Sequence, residues 1–348
     1  MLTVRHQPDR PPGRAAAHVA GRHGIIESPS SSRRKTMPAA ATEDQSAALR
    51  TLLRSLGQIV LQPNAFTGAC VLAAWLLTGV GLACAALMGA VAANVSAVLA
   101  GYRDDDTRAG LHGFNGALAG LAAFSFIADP ATAAAVTILA ATGAAWLLEP
   151  WSRWLGAHGL SVYSSPCLIV TWLWLPTMTS ATSPTSATPL HASGAAQWSG
   201  GVLASLAQTG FAPGALAGLL VLIGIGSASR RHALCALTGA ALASAAHLLL
   251  GASTGSFDAG LLGFNGALAA LALVDCGVMP MLGGVALAVV LQAAAAHFGW
   301  PVMTAPFVLA TWCMQRLMQR VTRRAIAAEP PQQTQSASAI TTPATRAN

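Results

Sequence analysis

The sequence predicts an all-α polytopic membrane protein made of two inverted repeats, each with about five transmembrane helices, some of them broken or only half-membrane in length. Three observations carry this. First, 54 % of the 348 residues are hydrophobic and only 9 % are charged, whereas a soluble domain carries roughly a quarter charged residues. Mean hydropathy is +0.55, and the apolar stretches reach about 20 residues, enough to cross a bilayer core of ~30 Å as helices. Second, the phrase LHGFNGALAGLA at 111–122 returns as LLGFNGALAALA at 261–272, 150 positions later. Gln58, Pro63 and Gly68 recur at the same offset as Gln208, Pro213 and Gly218, and Pro166, Thr171 and Trp172 recur 140 positions on as Pro306, Thr311 and Trp312. Separate landmarks in one order mark an internal duplication, with about ten extra residues in the first half. Third, Ser55 to Gln315 contains only five basic residues, all arginine. Strands across a membrane would need alternating polarity in segments of ~10 residues, which is not visible.

Residues 1–49 are rich in Arg, Ser, Pro and Ala without an apolar run and read as a disordered cytoplasmic leader. Arg33-Arg34 is followed by no apolar segment, so a secretory or twin-arginine signal is not expected, and Met37 is a second possible start. The first repeat spans 50–176. Its first membrane element runs from near Leu56 to Thr78, with an interruption at Pro63-Asn64. A second span ends near Ala100, before the aqueous loop Tyr102–Arg108. The GFNG segment opens a third span ending at Asp129-Pro130. A fourth runs to Leu148-Glu149-Pro150 and is followed by a loop with Arg153, and the fifth holds Pro166 and Trp172. Residues 177–199, rich in Ser, Thr and Pro, form an extracytoplasmic linker. The second repeat, 200–320, has spans near 200–228, 232–250, 260–276, 280–297 and 300–318, and 321–348 is a cytoplasmic tail.

With ten spans and a cytoplasmic N-terminus, Arg103, Arg108, Arg153, Arg230, Arg231 and the group Arg316, Arg320, Arg323, Arg324 all fall inside. Five spans per half then give the halves opposite orientation, an inverted repeat about an axis in the membrane plane. The formal net charge of +7 comes mostly from the two ends of the chain. It fits lipid head groups or topology and does not point to nucleic acid. The six cysteines are scattered without a CxxC pair and read as small buried hydrophobes.

An inverted repeat sets equivalent residues along one path at mid-depth, so polar residues recurring in both halves are the first candidates for lining it. Gln58 and Gln208 each stand five residues before a proline, which frees carbonyls of the preceding turn. Two readings are open for them: acceptors along a path, or glue between helices. Ser164 and Thr304, two residues before the second repeated proline, stand in a similar setting. Asn115 and Asn265, between glycines, read as a cap or the pin of a tight turn. Phe114, Phe264, Leu118, Leu268 and Phe211 line a slot or simply pack. No acid or base recurs in both halves, no histidine set has metal-ligand spacing, and there is no phosphate loop or nucleophile elbow. Neither a catalytic set, a metal nor a cofactor is therefore expected. Acceptors, apolar walls and no charge suit a small neutral polar solute.

Over about residues 50–320 the chain resembles the urea transporter family. The resemblance rests on Gly57-Gln58-x4-Pro63, its partner Gln208-x4-Pro213, the twin GFNGxL segments and the LPxxTxPF motif near the end of each half. The second copy of that motif, residues 300–307, reads WPVMTAPF. The first, 160–167, is degenerate at LSVYSSPC. The resemblance implies passive, channel-like passage of urea through a pore in each protomer of a homotrimer in the cell (inner) membrane, with both termini cytoplasmic and the broken or half-membrane helices at the pore. Gln58 and Gln208 would mark the ends of a ladder of oxygen acceptors, with Ser164 and Thr304 near its centre. Phe211, its counterpart Leu61, and Phe114, Leu118, Phe264 and Leu268 would form the slot. Serine at 164 drops a methyl from the family's threonine, so a wider, wetter centre is expected. Rival readings are a pore for short amides and a non-transporting scaffold of the same fold. An ammonia pore lacks its histidine pair.

Overall fold

The computed structural model describes residues 37–178, 194–301 and 303–328. Among these the chain is helical and no strand occurs. In the first half come α1 (Met37–Gln58), α2 (Ala65–Thr78), α3 (Val80–Leu99), α4 (Asp104–Arg108), α5 (Leu111–Phe126), α6 (Pro130–Ala157) and α7 (Ser165–Met178). The second half holds α8 (Ala195–Gln208), α9 (Ala215–Ala228), α10 (Arg230–Leu249), α11 (Thr254–Asp258), α12 (Phe264–Leu273), a 3-10 turn (Val274–Cys276), α13 (Val278–His297) and α14 (Ala305–Ala328). Most bounds recur. Gln58, Ala65, Val80 and Asp104 have Gln208, Ala215, Arg230 and Thr254 at the 150 offset, and Ser165 has Ala305 at 140.

Among the described residues four helices, α3, α6, α10 and α13, are long and apolar enough to cross a bilayer. The first span of each half is not one helix but two, α1 with α2 and α8 with α9. Each of α2, α8 and α9 has 14 residues, about 21 Å at 1.5 Å per residue, short of a hydrocarbon core. The GFNG helices are short as well, 16 and 10 residues.

Three expected boundaries shift. Helix α1 begins at Met37, inside the stretch assigned to the leader; α8 begins inside the linker; α14 continues into the tail. These segments are alanine-rich and polar, good helix formers that a search for apolar runs passes over. The remaining leader, linker and tail residues, 1–36, 179–193 and 329–348, lie outside the described residues. The fourth span is also longer than expected, because α6 does not stop at Pro150. A proline in a helix interior leaves the carbonyl four residues earlier without its N–H donor. That carbonyl belongs to Trp146, and the Tyr102 hydroxyl donates to it at 3.2 Å. With the carbonyl satisfied from outside, the helix carries on to Ala157. Most of the first half's extra length lies here, since α6 has 28 residues and its counterpart α13 has 20. At its other end Asp129 caps α6, accepting from the Thr132 hydroxyl at 2.6 Å and the Thr132 N–H at 2.8 Å. These bonds hold its carboxyl below the ordinary carboxylate range.

Packing between the long helices follows small residues. On α3 the buried positions Ala83, Ala86, Ala90, Ala93 and Ala97 fall at spacings of three and four, one stripe of the helix surface. Gly89 on this side meets Gly116 of α5: a Cβ on Gly116 would lie 2.3 Å from the Gly89 carbonyl oxygen. The second half repeats the crossing with Gly239 of α10 and Gly266 of α12, where the same distance is 2.6 Å. Lipid supplies no hydrophobic drive between helices, so close backbone approach through small residues is what holds them together.

Candidate functional site

Each half carries two backbone breaks of the same kind. After Gln58 the helix ends in a tight closure, with Leu61 N–H bonded to Gln58 O at 2.9 Å and Gln62 N–H to Gly57 O at 3.0 Å. Phe211 and Ala212 close α8 in the same way, onto Gln208 O at 3.2 Å and Ala207 O at 3.1 Å. This corrects the expectation drawn from the prolines. The helix stops five residues before Pro63, and the carbonyls of Gly57 and Gln58 close it instead of standing open. Such a closure needs a left-handed residue, usually glycine. Here it is Leu61 at φ 57° and Phe211 at φ 60°. The second break has Tyr163 at φ 45° and Met303 at φ 43°, each just before a hydroxyl residue, Ser164 or Thr304. Among the described residues these are the four non-glycine residues with positive φ. All four belong to repeat-matched pairs, each at a cost of about 1–2 kcal/mol. Strain retained twice at matched bulky residues, where glycine would relieve it, points to a use for the side chains.

The strain gives a direct test at Phe211, which is half-buried. Phe211→Ala removes the ring and keeps a Cβ in the left-handed region; Phe211→Gly removes both. The glycine variant is expected to be the more stable of the two by about 1 kcal/mol, the reverse of the usual order. Thermal unfolding in detergent measures this, and an alanine variant that melts higher would show that the backbone there is not strained.

The glutamines end α1 and α8, and each is oriented by a carbonyl. Gln58 Nε2 donates to Ala109 O at 3.2 Å, and Gln208 Nε2 to Ala259 O at 3.0 Å. A carbonyl can only accept, so the amide nitrogen must face it and the amide oxygen is turned the other way. Both glutamines thus keep an acceptor oxygen turned away from the carbonyl that holds them. Where the halves meet, Ser164 Oγ and Thr304 Oγ1 are 2.8 Å apart. One hydroxyl donates to the other, which leaves the pair one further hydrogen and spare lone pairs.

Gln208, Phe211, Phe264 and Thr304 line a cavity of about 710 Å³ built mostly by the second half, with Ser125 and Phe126 at the end of α5 joining from the first. Ser164 adjoins it through its bond to Thr304. Its other walls include Leu250, Leu261, Leu262, Met303 and alanines, with Ser253, Ser256, His247 and Gln292 among the polar groups and, among the described residues, no Asp, Glu, Lys or Arg. In the first half, Phe114 and Leu118 are 4 % exposed and pack in one core cluster with Leu206 and Val221. Leu268, 2 % exposed, lies in a second cluster with Phe307 and Val308. Leu61 packs against both clusters. Of the ten predicted residues the cavity thus brings together Gln208, Phe211, Phe264 and Thr304, while Gln58, Leu61, Phe114, Leu118, Ser164 and Leu268 are not among its lining residues.

The asparagines of GFNG do more than cap a nearby helix. Asn115 Nδ2 donates to the carbonyl of the strained Tyr163 at 3.3 Å, and its Oδ1 accepts from Cys167 N–H at 3.1 Å. Asn265 repeats both contacts, to Met303 O at 3.0 Å and from Phe307 N–H at 3.3 Å, and adds a bond to Gln292 Oε1 at 2.9 Å. Each asparagine pins a distant turn and thereby sets the hydroxyl that follows it. Gln292 and His247 have no like residue at the matching position of the first half, so a comparison of the halves passes over the glutamine and sets the histidine aside. Position 152 is serine and position 97 alanine. An unpaired glutamine inside an apolar helix is a signal on its own account.

A protein-family profile described as "Urea transporter" matches residues 49–319. A comparison with curated proteins finds no match.

Proposed function

The chain belongs to the urea transporter family, a family of transporters rather than enzymes, and from that premise we propose that it passes urea by channel-like, passive transport. The pore is narrow and uncharged, lined by hydrogen-bond acceptors and an apolar slot. The observation that carries this reading is the hydroxyl pair Ser164–Thr304 at 2.8 Å, together with two glutamines whose amide nitrogens are each held by a backbone carbonyl, so that their amide oxygens are turned away from it. Urea is planar and neutral, with four N–H donors and one carbonyl. Each of those groups left unpaired on leaving water costs ~1–3 kcal/mol. Glutamine oxygens take the N–H groups at either end. At the centre the hydroxyl pair offers lone pairs and one remaining hydrogen, the last for urea's carbonyl. Phe211 and Phe264 supply flat apolar faces, Leu61 is their aliphatic complement from the first half, and Phe114 backs the slot from the core. Several weak sites in series let the solute leave as readily as it enters.

The two halves are read as inverted repeats related by an axis in the membrane plane. The arginines of the 103–108 loop, of 153, 230 and 231, and of α14 then share the cytoplasmic side with both termini. The family resemblance also supports the reading of a homotrimer in the inner membrane. A second reading, passage of short amides, draws on Ser164, which lacks a threonine methyl at the centre, and on Leu61 where the other half has Phe211.

Stopped-flow light scattering of proteoliposomes under a urea gradient is expected to show flux well above that of empty liposomes. Gln208→Ala is expected to lower it about tenfold, the loss of one acceptor of ~1.4 kcal/mol at the barrier. No flux above empty liposomes sinks the transport reading. Acetamide moving as fast as urea makes the short-amide reading the better one.

A further inference from the structure

Helix α14 has two unlike sides. One is docked on the segment that leads to Ser164: Trp312 Nε1 donates to Ser161 O at 2.7 Å, Gln315 Nε2 to the Tyr163 hydroxyl at 3.0 Å, and Gln319 Nε2 to Gly159 O at 2.7 Å. The other side is open. Leu309, Cys313 and Leu317, spaced by four, form an exposed apolar line along it. Arg316, Arg320 and Arg324, also spaced by four, form a ridge beside the C-terminal end of that line. Together they form a shallow groove of about 320 Å³ on the surface of α14, lined by Cys313, Arg316, Leu317 and Arg320 and edged by Trp312. The ion pairs among the described residues join Arg153 to Glu149 and Arg231 to Asp275, so none of the three ridge arginines is paired with a carboxylate there.

We propose that this groove is a binding site for one anionic phospholipid. An acyl chain lies along Leu309, Cys313 and Leu317, and the phosphate bridges Arg316 and Arg320, with Arg324 facing the rest of the head group. Guanidinium groups one helical turn apart present paired N–H donors to phosphate oxygens. The apolar line continuing from the arginines toward the membrane interior selects a lipid over free phosphate. The cationic ridge without a neighbouring carboxylate selects an anionic head group over a zwitterionic one. Because the opposite side of α14 braces residues 159–163, the bound lipid also clamps the helix that holds the turn before Ser164.

The test is lipid binding to the purified, delipidated full chain by native mass spectrometry and thermal unfolding, and it reads independently of any solute flux. Wild-type protein is expected to prefer phosphatidylglycerol over phosphatidylcholine by about 100-fold, near the product of three arginines each worth about fivefold at an anionic leaflet. The combined variant R316Q/R320Q/R324Q is expected to lose that preference and its stabilisation by phosphatidylglycerol. Arg230→Gln, a charge removed elsewhere, is expected to keep both. Should the triple variant fail to fold, the exposed single change Arg320→Gln is expected to weaken binding about fivefold. Equal binding of the two lipids by wild type overturns the proposal, as does a preference that survives in the glutamine variants. A full thermal shift from glycerol 3-phosphate alone, without an acyl chain, overturns it too.

Discussion

Gly116→Ala is expected to cost at least about 3 kcal/mol of stability, the upper end for overpacking, because what blocks the new methyl is backbone. A Cβ at 116 would sit 2.3 Å from the Gly89 carbonyl oxygen and 2.5 Å from Ala93 Cβ. Neither can rotate away, so α3 and α5 must part by an ångström or more and lose their shared stripe of contacts. Gly89→Ala is expected to behave alike, since its Cβ would meet the Gly116 carbonyl oxygen at 2.1 Å. The corresponding change in the second half, Gly266→Ala, meets Ala243 Cβ at 2.4 Å and the Gly239 oxygen at 2.6 Å. It is expected to cost less, because a carbonyl at that distance needs a smaller shift. Gly143→Ala is the control: its nearest neighbours are the Val170 methyls at 3.7 Å, and a change within about 0.5 kcal/mol is expected. Thermal unfolding in detergent ranks the four variants. A Gly116→Ala protein that melts with wild type would mean that the helices are not held at this crossing.

The same crossing explains one of the two mismatches in the duplicated phrase. Gly120 sits where a Cβ would come 2.2 Å from the Ala85 oxygen, whereas position 270 is alanine and that half does without so close an approach. What the sequence made legible was whatever the duplication preserved: the glutamines, the asparagines, the hydroxyl pair and the helix order. Matching residues across halves locates groups that serve a shared geometry, because the same backbone break needs the same partners twice. It is blind to one-sided solutions. Tyr102 satisfies the carbonyl that Pro150 strands, so a proline read as a helix end became a helix interior. Gln292 braces Asn265 in one half only. The left-handed backbone at Leu61 and Phe211 was equally hidden, since propensity argues for glycine there and nothing in a lone leucine or phenylalanine announces φ near 60°.

That one-sided brace makes Asn265 the more consequential of the two motif asparagines. Asn265→Ala removes three hydrogen bonds at a residue 1 % exposed. It strands Gln292 Oε1, the Met303 carbonyl and the Phe307 N–H. The last belongs to the first turn of α14, where N–H groups have no partner within the helix, and the preceding Pro306 has none to offer. At ~1–3 kcal/mol for each buried group left unmet, with partial relaxation, a loss of about 3–5 kcal/mol is expected. Asn115→Ala strands only Tyr163 O and Cys167 N–H, so about 2–4 kcal/mol is expected there. Asn265→Asp separates the donor from the acceptor role. Aspartate still accepts from Phe307 N–H, but it faces the Met303 carbonyl and Gln292 Oε1 with oxygen, so it is expected to recover little of the loss. Met303 then has nothing to hold its strained φ, and the Thr304 hydroxyl leaves its 2.8 Å register with Ser164. On the proposed function, urea flux per folded protein should fall at least about tenfold, as for any lost transition-state contact of ~1.4 kcal/mol. Melting temperatures in the order wild type, Asn115→Ala, Asn265→Ala, with flux falling in step, are the expected result. An Asn265→Asp protein as stable as wild type would show that the asparagine serves as a helix cap alone and that the turn before Thr304 holds itself.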